Sequence, residues 1–226
     1  MSNKVGPRIT SDSLIVYFDA SNTKSYAGTG NTAFGLVSAL NNTLVGGVAF
    51  SSSNLGYFTL DGVNDNIPFS LPTFGNTLTL IMWARVKSFS GGMLLGFNLY
   101  SVWTGGGRLG FNTAASDVYG LTSTQVTNLS LLNTWKHYVF EMRSDVSYSN
   151  NKIYIDGQLQ SISQVTGTEN ATNRTFNSGN GRISSWLAND SYFISMDLAQ
   201  FSVYNKALSQ NEITQNYNSM KKRFNK

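Results

Sequence analysis

Apolar and polar residues alternate along much of the chain, which is the pattern of β-strands. The longest alternating run is Thr77–Val86, where apolar residues occupy both faces. One face carries five of them, Leu78, Leu80, Met82, Ala84 and Val86. The other face adds Ile81 and Trp83 beside Arg85. Because both faces are partly apolar, this run predicts a central strand of a packed sheet.

Other strands are predicted around turn signals. Residues 14–20 and Trp135–Arg143 alternate, and an Asp-Gly pair at 156–157 lies between the short apolar runs IYI and QLQ. That pair is a strong hairpin signal. The segment TGGG at 104–107 lies between the runs GGMLLGFNLY and RLGFN and predicts that these two runs pair as a second hairpin. Turn signals recur at the spacing typical of sandwiches, with no repeat and no shift in composition, so we predict one all-β domain.

The end of the chain follows a different pattern. Ser209 and Glu212 have the spacing of a capping box, and Ile213, Tyr217 and Met220 form one apolar stripe at helical spacing. We therefore predict a helix over about residues 209–222. A single helix of this length is marginal in water, so we expect it to lie on the sheet or at its end. A helix that binds a partner is the alternative.

Composition excludes several classes of function. The chain of 226 residues is long enough for one large β domain, and it contains no cysteine for disulfides or thiolate metal sites. The net charge of +4 is diffuse except for Lys221, Lys222, Arg223 and Lys226, which suit a helix C-terminus. We expect no nucleic-acid partner. No secretory signal and no apolar run of membrane-spanning length are present, so no membrane partner is expected.

Six segments stand in a characteristic order along the chain, namely LIVYFDASNTKSYAGTGNT, FTLDGVNDNI, LTLIMWARV, WKHYVFEMR, KIYIDGQLQ and LAQFSVYNKALSQNEITQNYNSMKKRF. Their order and spacing resemble the laminin-G-like branch of the concanavalin A-like lectin/glucanase superfamily. The resemblance covers most of residues 14–224, and VYNKALSQNEI is its most specific part. It implies an antiparallel two-sheet jelly-roll sandwich whose C-terminal helix is a terminal cap.

The resemblance also implies a role. Domains of this branch with a similar opening segment occur in structural proteins of bacteriophage virions, as capsid decoration or on tails and fibres. We expect an N-terminal arm at residues 1–12, too poor in apolar residues to form its own core, followed by the jelly roll at 13–226. The expected partners are other virion subunits or copies of the same chain, with a cell-surface glycan as a further partner.

Catalysis is not expected. A retaining glycosidase needs two carboxylates about 5 Å apart. The chain has three glutamates, Glu141, Glu169 and Glu212, and none has an acid two or four residues away on a strand. Asp145 comes nearest to Glu141 but lies in a predicted turn. His137 is the only histidine, and we interpret it as a packed strand residue. A glycoside hydrolase is the third functional alternative.

Calcium is the metal that the residues could bind, since it prefers several carboxylate and carbonyl oxygens. The best oxygen clusters are Asp19 with Asn22, and Asp61 with Asn64 and Asp65. We predict Asp19, Asn22, Asp61 and Asp65 as candidate ligands of a structural ion, although no cofactor is required. Local turn amides are the alternative partners of these side chains. The family's Asp after the opening segment is absent here, and Ala199 replaces an acid in the penultimate strand, which counts against a family-type site.

Sugar binding usually needs an exposed aromatic ring together with amides or arginine. Two groups of residues have this character. The first is Tyr100, Trp103 and Arg108 around the TGGG turn, and the second is Trp186, Asn189 and Tyr192. Trp83 and Trp135 are predicted to be core or inter-sheet residues. Burial within the core is the alternative for each ring.

These expectations together predict a non-catalytic structural or attachment module on the surface of a phage virion. Its N-terminal arm would dock on the particle and its loops would face outward. A free carbohydrate-binding lectin, optionally dependent on calcium, is the alternative.

Overall fold

Two antiparallel β-sheets face each other in the computed structural model of the protein, which describes residues 8–113, 117–176, 179–188 and 190–226. This confirms the predicted two-sheet sandwich with a short C-terminal helix. The strands in chain order are β1 (Leu14–Asp19), β2 (Thr32–Phe34), β3 (Asn41–Thr43), β4 (Ala49–Ser51), β5 (Tyr57–Asp61), β6 (Ile67–Ser70), β7 (Thr77–Val86), β8 (Gly91–Gly96), β9 (Ser101–Gly105), β10 (Arg108–Asn112), β11 (Val118–Leu121), β12 (Trp135–Arg143), β13 (Lys152–Ile155), β14 (Gln158–Leu159), β15 (Ser163–Thr166), β16 (Asn180–Ile183) and β17 (Ser195–Tyr204).

Each sheet mixes strands from distant parts of the chain. The eight-stranded sheet has the order β14-β13-β12-β7-β17-β5-β4, and β1 also pairs with β17. The seven-stranded sheet has the order β15-β11-β10-β9-β8-β16-β6. Strands β2 and β3 form a separate hairpin. The hairpin predicted at the Asp-Gly pair is present, because β13 pairs with β14. At the TGGG turn, β10 pairs with β9, whereas the predicted partner run forms β8 on the far side of β9, so the predicted pairing of those two runs is wrong.

The main core lies between the two sheets. The five apolar residues predicted on one face of β7 are all buried there, together with rings such as Phe111 and Phe140. The opposite face of β7 is also apolar, and Ile81 and Trp83 belong to two smaller clusters on the outer side of the eight-stranded sheet. Trp83 and Trp135 are therefore buried, but beneath the end of the chain rather than between the sheets.

The C-terminal helix α2 (Gln210–Met220) covers that outer face. Its predicted capping box is present, since the Ser209 amide donates to Glu212 Oε2 at 2.8 Å and the Ser209 hydroxyl accepts from the Glu212 amide. Ile213 is fully buried, and Tyr217 stacks on Trp83 with ring centroids 5.8 Å apart. A 3-10 helix, Lys221–Phe224, continues from α2 and ends in the buried Phe224.

Residues 8–12, which the sequence assigned to the arm, pack against α2. The Thr10 amide donates to Asn216 Oδ1 at 2.7 Å, and the Tyr204 hydroxyl donates to the Thr10 carbonyl at 2.9 Å. The carbonyl of Arg8 accepts from the Gln215 side chain. The packed part of the chain thus begins before residue 13, and the rest of the predicted arm, residues 1–7, lies outside the described residues.

A second helix, α1 (Ser123–Asn128), was not predicted, although Thr122 and Gln125 form a capping box of the same kind. Three further 3-10 helices occur at Ser53–Leu55, Tyr148–Asn150 and Ala171–Asn173. Within the described part of the chain, neither α1 nor α2 has the length and apolar character needed to span a membrane.

Candidate functional site

A cleft of about 560 Å³ lies on the outer face of the seven-stranded sheet. Strand alternation creates this face. Val102, Leu109 and Phe111 point into the core between the sheets, so their neighbours on β9 and β10 point away from it. Trp103 and Arg108 are among those neighbours and line the cleft.

The floor of the cleft follows β9 and β10. Gly110 pairs with Trp103 on one side and with Gly120 of β11 on the other, so no side chain rises from the middle of β10. Arg108 and Asn112 flank this gap at the two ends of the strand. A Cβ atom at either glycine would overlap backbone atoms of the facing strand, so the glycine pair lets β10 and β11 approach closely between the polar ends of the floor.

The position of the Trp103 indole depends on Gly105, which lies two residues later in β9 and on the same face of the sheet. A Cβ atom at Gly105 would overlap Nε1 of Trp103, so the indole lies across this glycine. Gly105 is in turn paired with Arg108. Gly106 and Gly107 form the two-residue turn with φ of 58° and 78°, a conformation that favours glycine at both positions.

One wall of the cleft is the loop between β16 and β17. Ser184, Asp190 and Tyr192 all have positive φ, at 76°, 51° and 56°. Such angles are unfavourable for residues with a Cβ, and strained residues often occur at binding sites. The Ser184 hydroxyl donates to the Ile194 carbonyl at 2.7 Å, and the Met93 amide donates to the Tyr192 carbonyl at 2.8 Å. The loop is thus fastened at its base and to β8.

This loop supplies two aromatic side chains. The Tyr192 ring is 51% exposed and meets the Trp103 ring edge to face, with centroids 5.3 Å apart. The Trp186 ring lies 5.8 Å from the Tyr192 ring, and its indole N–H donates to the Asn98 carbonyl. Three aromatic rings from two distant segments therefore share one cleft.

The structure unites most of the two predicted groups of sugar-binding residues. Trp103, Arg108, Trp186 and Tyr192 all line the cleft. Asn189 lies outside the described residues. The sequence did not indicate Asn112 or Asn173, which also line the cleft; their Nδ2 groups donate to Asp117 and to the Thr113 carbonyl. Asn112 could have been found from the sequence. It is four residues beyond Arg108 on one strand, and this even spacing places both side chains on the same face.

Tyr100 is the exception and does not line the cleft. Its side chain is fully buried, and burial raises the pKa of its hydroxyl. That hydroxyl donates to the Arg143 carbonyl at 3.0 Å and accepts from the Asn151 amide. The ring stacks on Phe176, with centroids 6.0 Å apart. Tyr100 is a core residue, and its prediction as a sugar contact is wrong.

The candidate calcium ligands do not form one cluster. Asp19 lies near the start of β5, where Arg223 binds both its carboxylate and the Gly56 carbonyl. Asp61 lies at the other end of β5, a strand about 13 Å long. No group of three or more acidic or histidine side chains suited to a metal is found among the described residues.

Each candidate ligand has a local partner instead. Asp19 Oδ1 lies 2.8 Å from Arg223 Nη1 and also accepts from Ser21. Asn22 Oδ1 accepts from the Lys24 amide at 3.0 Å, and Asp61 Oδ1 accepts from the Val63 amide at 2.7 Å. Asp65 accepts from the Asp61 amide, while burial raises the pKa of its carboxyl. Calcium binding by these residues stays a prediction.

The carboxylates that a hydrolase would use lie elsewhere. Glu141 is buried on the outer side of the eight-stranded sheet and pairs with Lys152 at 3.2 Å. Glu169 accepts from the Tyr148 amide and pairs with Arg174, and Glu212 is held in the capping box. No acidic residue is among the lining residues in the part of the chain that the structure describes.

His137 is fully buried between Trp83 and Tyr217. Burial lowers its pKa to about 3, against a smaller opposing effect of Asp156. His137 is therefore a neutral imidazole packed beneath α2, in agreement with its interpretation as a packed strand residue. It lies on the sheet opposite to the one that carries the cleft.

The basic residues at the chain end are mostly engaged in the fold. Arg223 pairs with Asp19, Lys226 pairs with Asp156 at 3.3 Å, and Lys221 lies over the Tyr217 ring. Their local role is to hold the last residues onto the eight-stranded sheet.

Several solved structures have a similar fold. The sialidase of Trypanosoma rangeli in complex with sialic acid has a TM-score of 0.65 and 14% identity, covering 96% of this chain and 35% of that one. A structure of botulinum neurotoxin type C, whose cell entry depends on two ganglioside molecules, has a TM-score of 0.64 and 17% identity, covering 92% and 51%. The ligand-binding domain of serotype D with N-acetylneuraminic acid has a TM-score of 0.60 and 12% identity, covering 91% and 50%. This chain thus spans about a third to a half of those chains.

Sequence comparison gives the family directly. No curated protein sequence matches the chain. A laminin-G family model, described as the concanavalin A-like lectin/glucanases superfamily, matches residues 57–214. This range includes most strands of both sheets, all four described lining residues that the sequence predicted, and the start of α2. The chain therefore belongs to the concanavalin A-like lectin/glucanases superfamily.

Proposed function

We propose that the protein is a non-catalytic attachment module that binds carbohydrate in the cleft on the seven-stranded sheet. The observation that carries the proposal is the meeting of Trp103, Trp186 and Tyr192 around one open cavity. Aromatic faces pack against the apolar face of a pyranose, while guanidinium and amide groups hydrogen-bond its hydroxyls. The volume of about 560 Å³ suits a small ligand.

The similar structures support the same class of ligand. Two of them contain sialic acid or N-acetylneuraminic acid, and the third belongs to a toxin that depends on gangliosides. The proteins that bind those ligands are at least about twice as long as the region that matches this chain. At identities of 12–17% the likeness concerns the fold, so it supports a glycan-related role without naming a sugar.

The absence of acidic residues from the cleft lining supports binding without catalysis. Glycoside hydrolysis uses a pair of carboxylates that flank the scissile bond. Here the lining offers one guanidinium, amides, hydroxyls and aromatic rings. Such groups hold a sugar in place but offer no carboxylate pair to protonate a leaving group and attack the sugar.

A glycan array probed with the wild type and with Trp103→Ala tests the proposal. We expect specific glycans to bind the wild type and to lose binding in the variant. Leu159→Ala is the matched control, because Leu159 is 54% exposed on the other sheet. Absence of glycan binding by the folded wild type, or equal binding by Trp103→Ala, would contradict the proposal.

The finer proposal is a place on the surface of a phage virion, in capsid decoration or on a tail or fibre. The sequence resemblance supports it, and so does the position of the N-terminal segment. Residues 8–12 lie with α2 on the eight-stranded sheet, and the cleft opens on the other sheet. Attachment through residues 1–7 to another virion subunit, or to a copy of this chain, would leave the cleft facing outward.

Deletion of residues 1–7 tests this attachment, since it keeps the contacts of Thr10 with α2. We expect the shortened protein to fold and bind glycan but to be absent from purified particles. Trp103→Ala is the complementary control and should be incorporated normally. Full incorporation without residues 1–7 would contradict the attachment role and favour a free lectin.

A further inference from the structure

We infer that the cleft selects a glycan that carries a negative charge, and that Arg108 binds the charged group. This inference rests on the proposed carbohydrate-binding function and specifies its ligand class. The shared chemistry is an anionic group on a pyranose ring, either a carboxylate or a sulfate.

Arg108 is the single charged residue among the described residues that line the cleft. All twelve acidic residues of the chain lie in its described part, and none forms an ion pair with Arg108. Five other arginines each have a carboxylate partner, namely Arg85 with Asp197, Arg143 with Asp145, Arg174 with Glu169, Arg182 with Asp190, and Arg223 with Asp19. Arg108 thus differs from most arginines of this fold in having its charge uncompensated.

The guanidinium also makes no hydrogen bond to any described residue. It is only partly exposed, and it projects from the first residue after a tight glycine turn. A planar guanidinium presents paired N–H donors that match the two oxygens of a carboxylate or sulfate. The backbone of Arg108 is held in the sheet, while the N–H donors of its side chain are available to a ligand, so this arginine is suited to bind an anion.

The neighbouring indole adds another donor. The N–H of Trp103 has no acceptor among the described residues, in contrast to the N–H of Trp186, which donates to Asn98. Gly105 brings the two donors together, since the Trp103 indole lies across it and Arg108 is its partner on β10. A sugar ring that packs on the aromatic rings would therefore place an acidic substituent near both donors.

Two acidic residues close in sequence to the cleft lining, Asp117 and Asp190, have partners other than Arg108. The Asp117 carboxylate accepts from Asn112 Nδ2 at 2.7 Å and from the Thr113 hydroxyl at 2.6 Å. Asn112 is four residues along β10 from Arg108, a separation of about 13 Å. Asp190 pairs with Arg182. The cleft therefore has a positive end at Arg108.

The experiment compares acidic and neutral forms of one sugar. A glycan array with matched pairs identifies a binding scaffold, for example 3′-sialyllactose, 3′-sulfolactose and lactose. Calorimetry then measures each form against the wild type, Arg108→Gln and Arg108→Lys at low and high salt. We expect the wild type to prefer an acidic form by about tenfold or more, and the preference to weaken in salt.

The variants separate charge from shape. Arg108→Gln should remove the preference for the acidic form, because it lowers the affinity for that form far more than the affinity for lactose, whereas Arg108→Lys should keep part of the preference. The carboxylated and sulfated arms show which anion the site prefers. Equal affinity of acidic and neutral forms, or an equal loss of both in Arg108→Gln, would overturn this inference and leave carbohydrate binding intact. Failure of every glycan to bind would overturn both.

Discussion

The indole of Trp103 and the phenol ring of Tyr192 meet edge to face, with an interplanar angle of 78° and centroids 5.3 Å apart. Trp103 comes from the middle of a sheet, and Tyr192 comes from a loop in the left-handed backbone region. Their contact makes the cleft a product of two distant segments. Its aromatic wall consequently depends on the loop as much as on the sheet.

Tyr192→Ala should weaken glycan binding by about tenfold, which corresponds to about 1.4 kcal/mol, because the most exposed ring of the cleft is lost. Stability should change by less than about 0.5 kcal/mol, since the side chain is half exposed. Tyr192→Phe is the control that keeps the ring and the Cβ. If Ala and Phe bind glycan equally well in calorimetry, ring packing at this position has no role.

Gly105→Ala should displace the Trp103 indole, because the new Cβ would overlap Nε1 of that ring. We expect a shifted indole N–H resonance of Trp103 in NMR spectra and reduced glycan affinity in a folded protein. Gly106→Ala is the matched control on the adjacent residue. Its φ of 58° makes alanine cost about 1 kcal/mol of stability, but Trp103 is not touched. Normal glycan affinity in Gly105→Ala would mean that the indole position is not critical.

The sequence predicted the architecture well because strand and helix periodicity are local signals. The two faces of β7, the capping box of α2 and the hairpin at the Asp-Gly pair follow from residues close together in the chain. The capping box at Thr122 and Gln125 carried the same kind of signal, but α1 is short and has a single buried residue, Val126. Its apolar stripe is therefore too brief to show as a period.

The site was predicted as two separate groups because their union depends on long-range pairing. Nothing local indicates that the loop at 184–194 lies over β9. The error at Tyr100 has a local cause. Tyr100 and Trp103 are an odd number of residues apart, so an extended backbone directs them to opposite faces. Trp103 points to the cleft, and Tyr100 is buried against Phe176.

Phe224→Ala should destabilise the protein by about 3 kcal/mol, the loss typical of removing a buried phenyl ring. The ring stacks on Trp83 at 4.4 Å and lies 4.7 Å from Trp135, so it fastens the last residues to the eight-stranded sheet. Urea unfolding measures the change. Lys222→Ala, at an exposed neighbour, should have almost no effect. Equal stability of both variants would contradict a packing role for Phe224.

Asp19→Asn should lower the unfolding temperature to the same extent with calcium and with EDTA. The Asp19 carboxylate is largely buried against Arg223, and removing one charge of such a pair leaves the other uncompensated, at a cost of about 3 kcal/mol. The wild type should likewise unfold at one temperature in both conditions. The calcium hypothesis makes the opposite prediction. Calcium would raise the unfolding temperature of the wild type, and Asp19→Asn would abolish the rise.

Stability should fall on acidification because of His137. Its pKa is about 3 in the folded protein, where burial disfavours the imidazolium, against 6.5 as the ordinary value. The unfolded chain therefore binds a proton before the folded one does. The contribution of the neutral ring is complete above about pH 6.5 and is lost progressively as the pH falls toward 3.

The titration of His137 is isolated by comparing the wild type with His137→Gln, which does not ionise. Asp156 is the acidic group near the ring, and it is already paired with Lys136 and Lys226 at 3.3 Å each, so it offers the imidazolium little compensation. Urea unfolding of both proteins at several pH values gives the difference in free energy. That difference should be constant above pH 7. Below about pH 6.5 the wild type should lose stability relative to His137→Gln, because His137 accepts a proton when the wild type unfolds. Parallel curves for the two proteins would mean that the ring is solvated or charged beneath α2, contrary to its buried position between Trp83 and Tyr217.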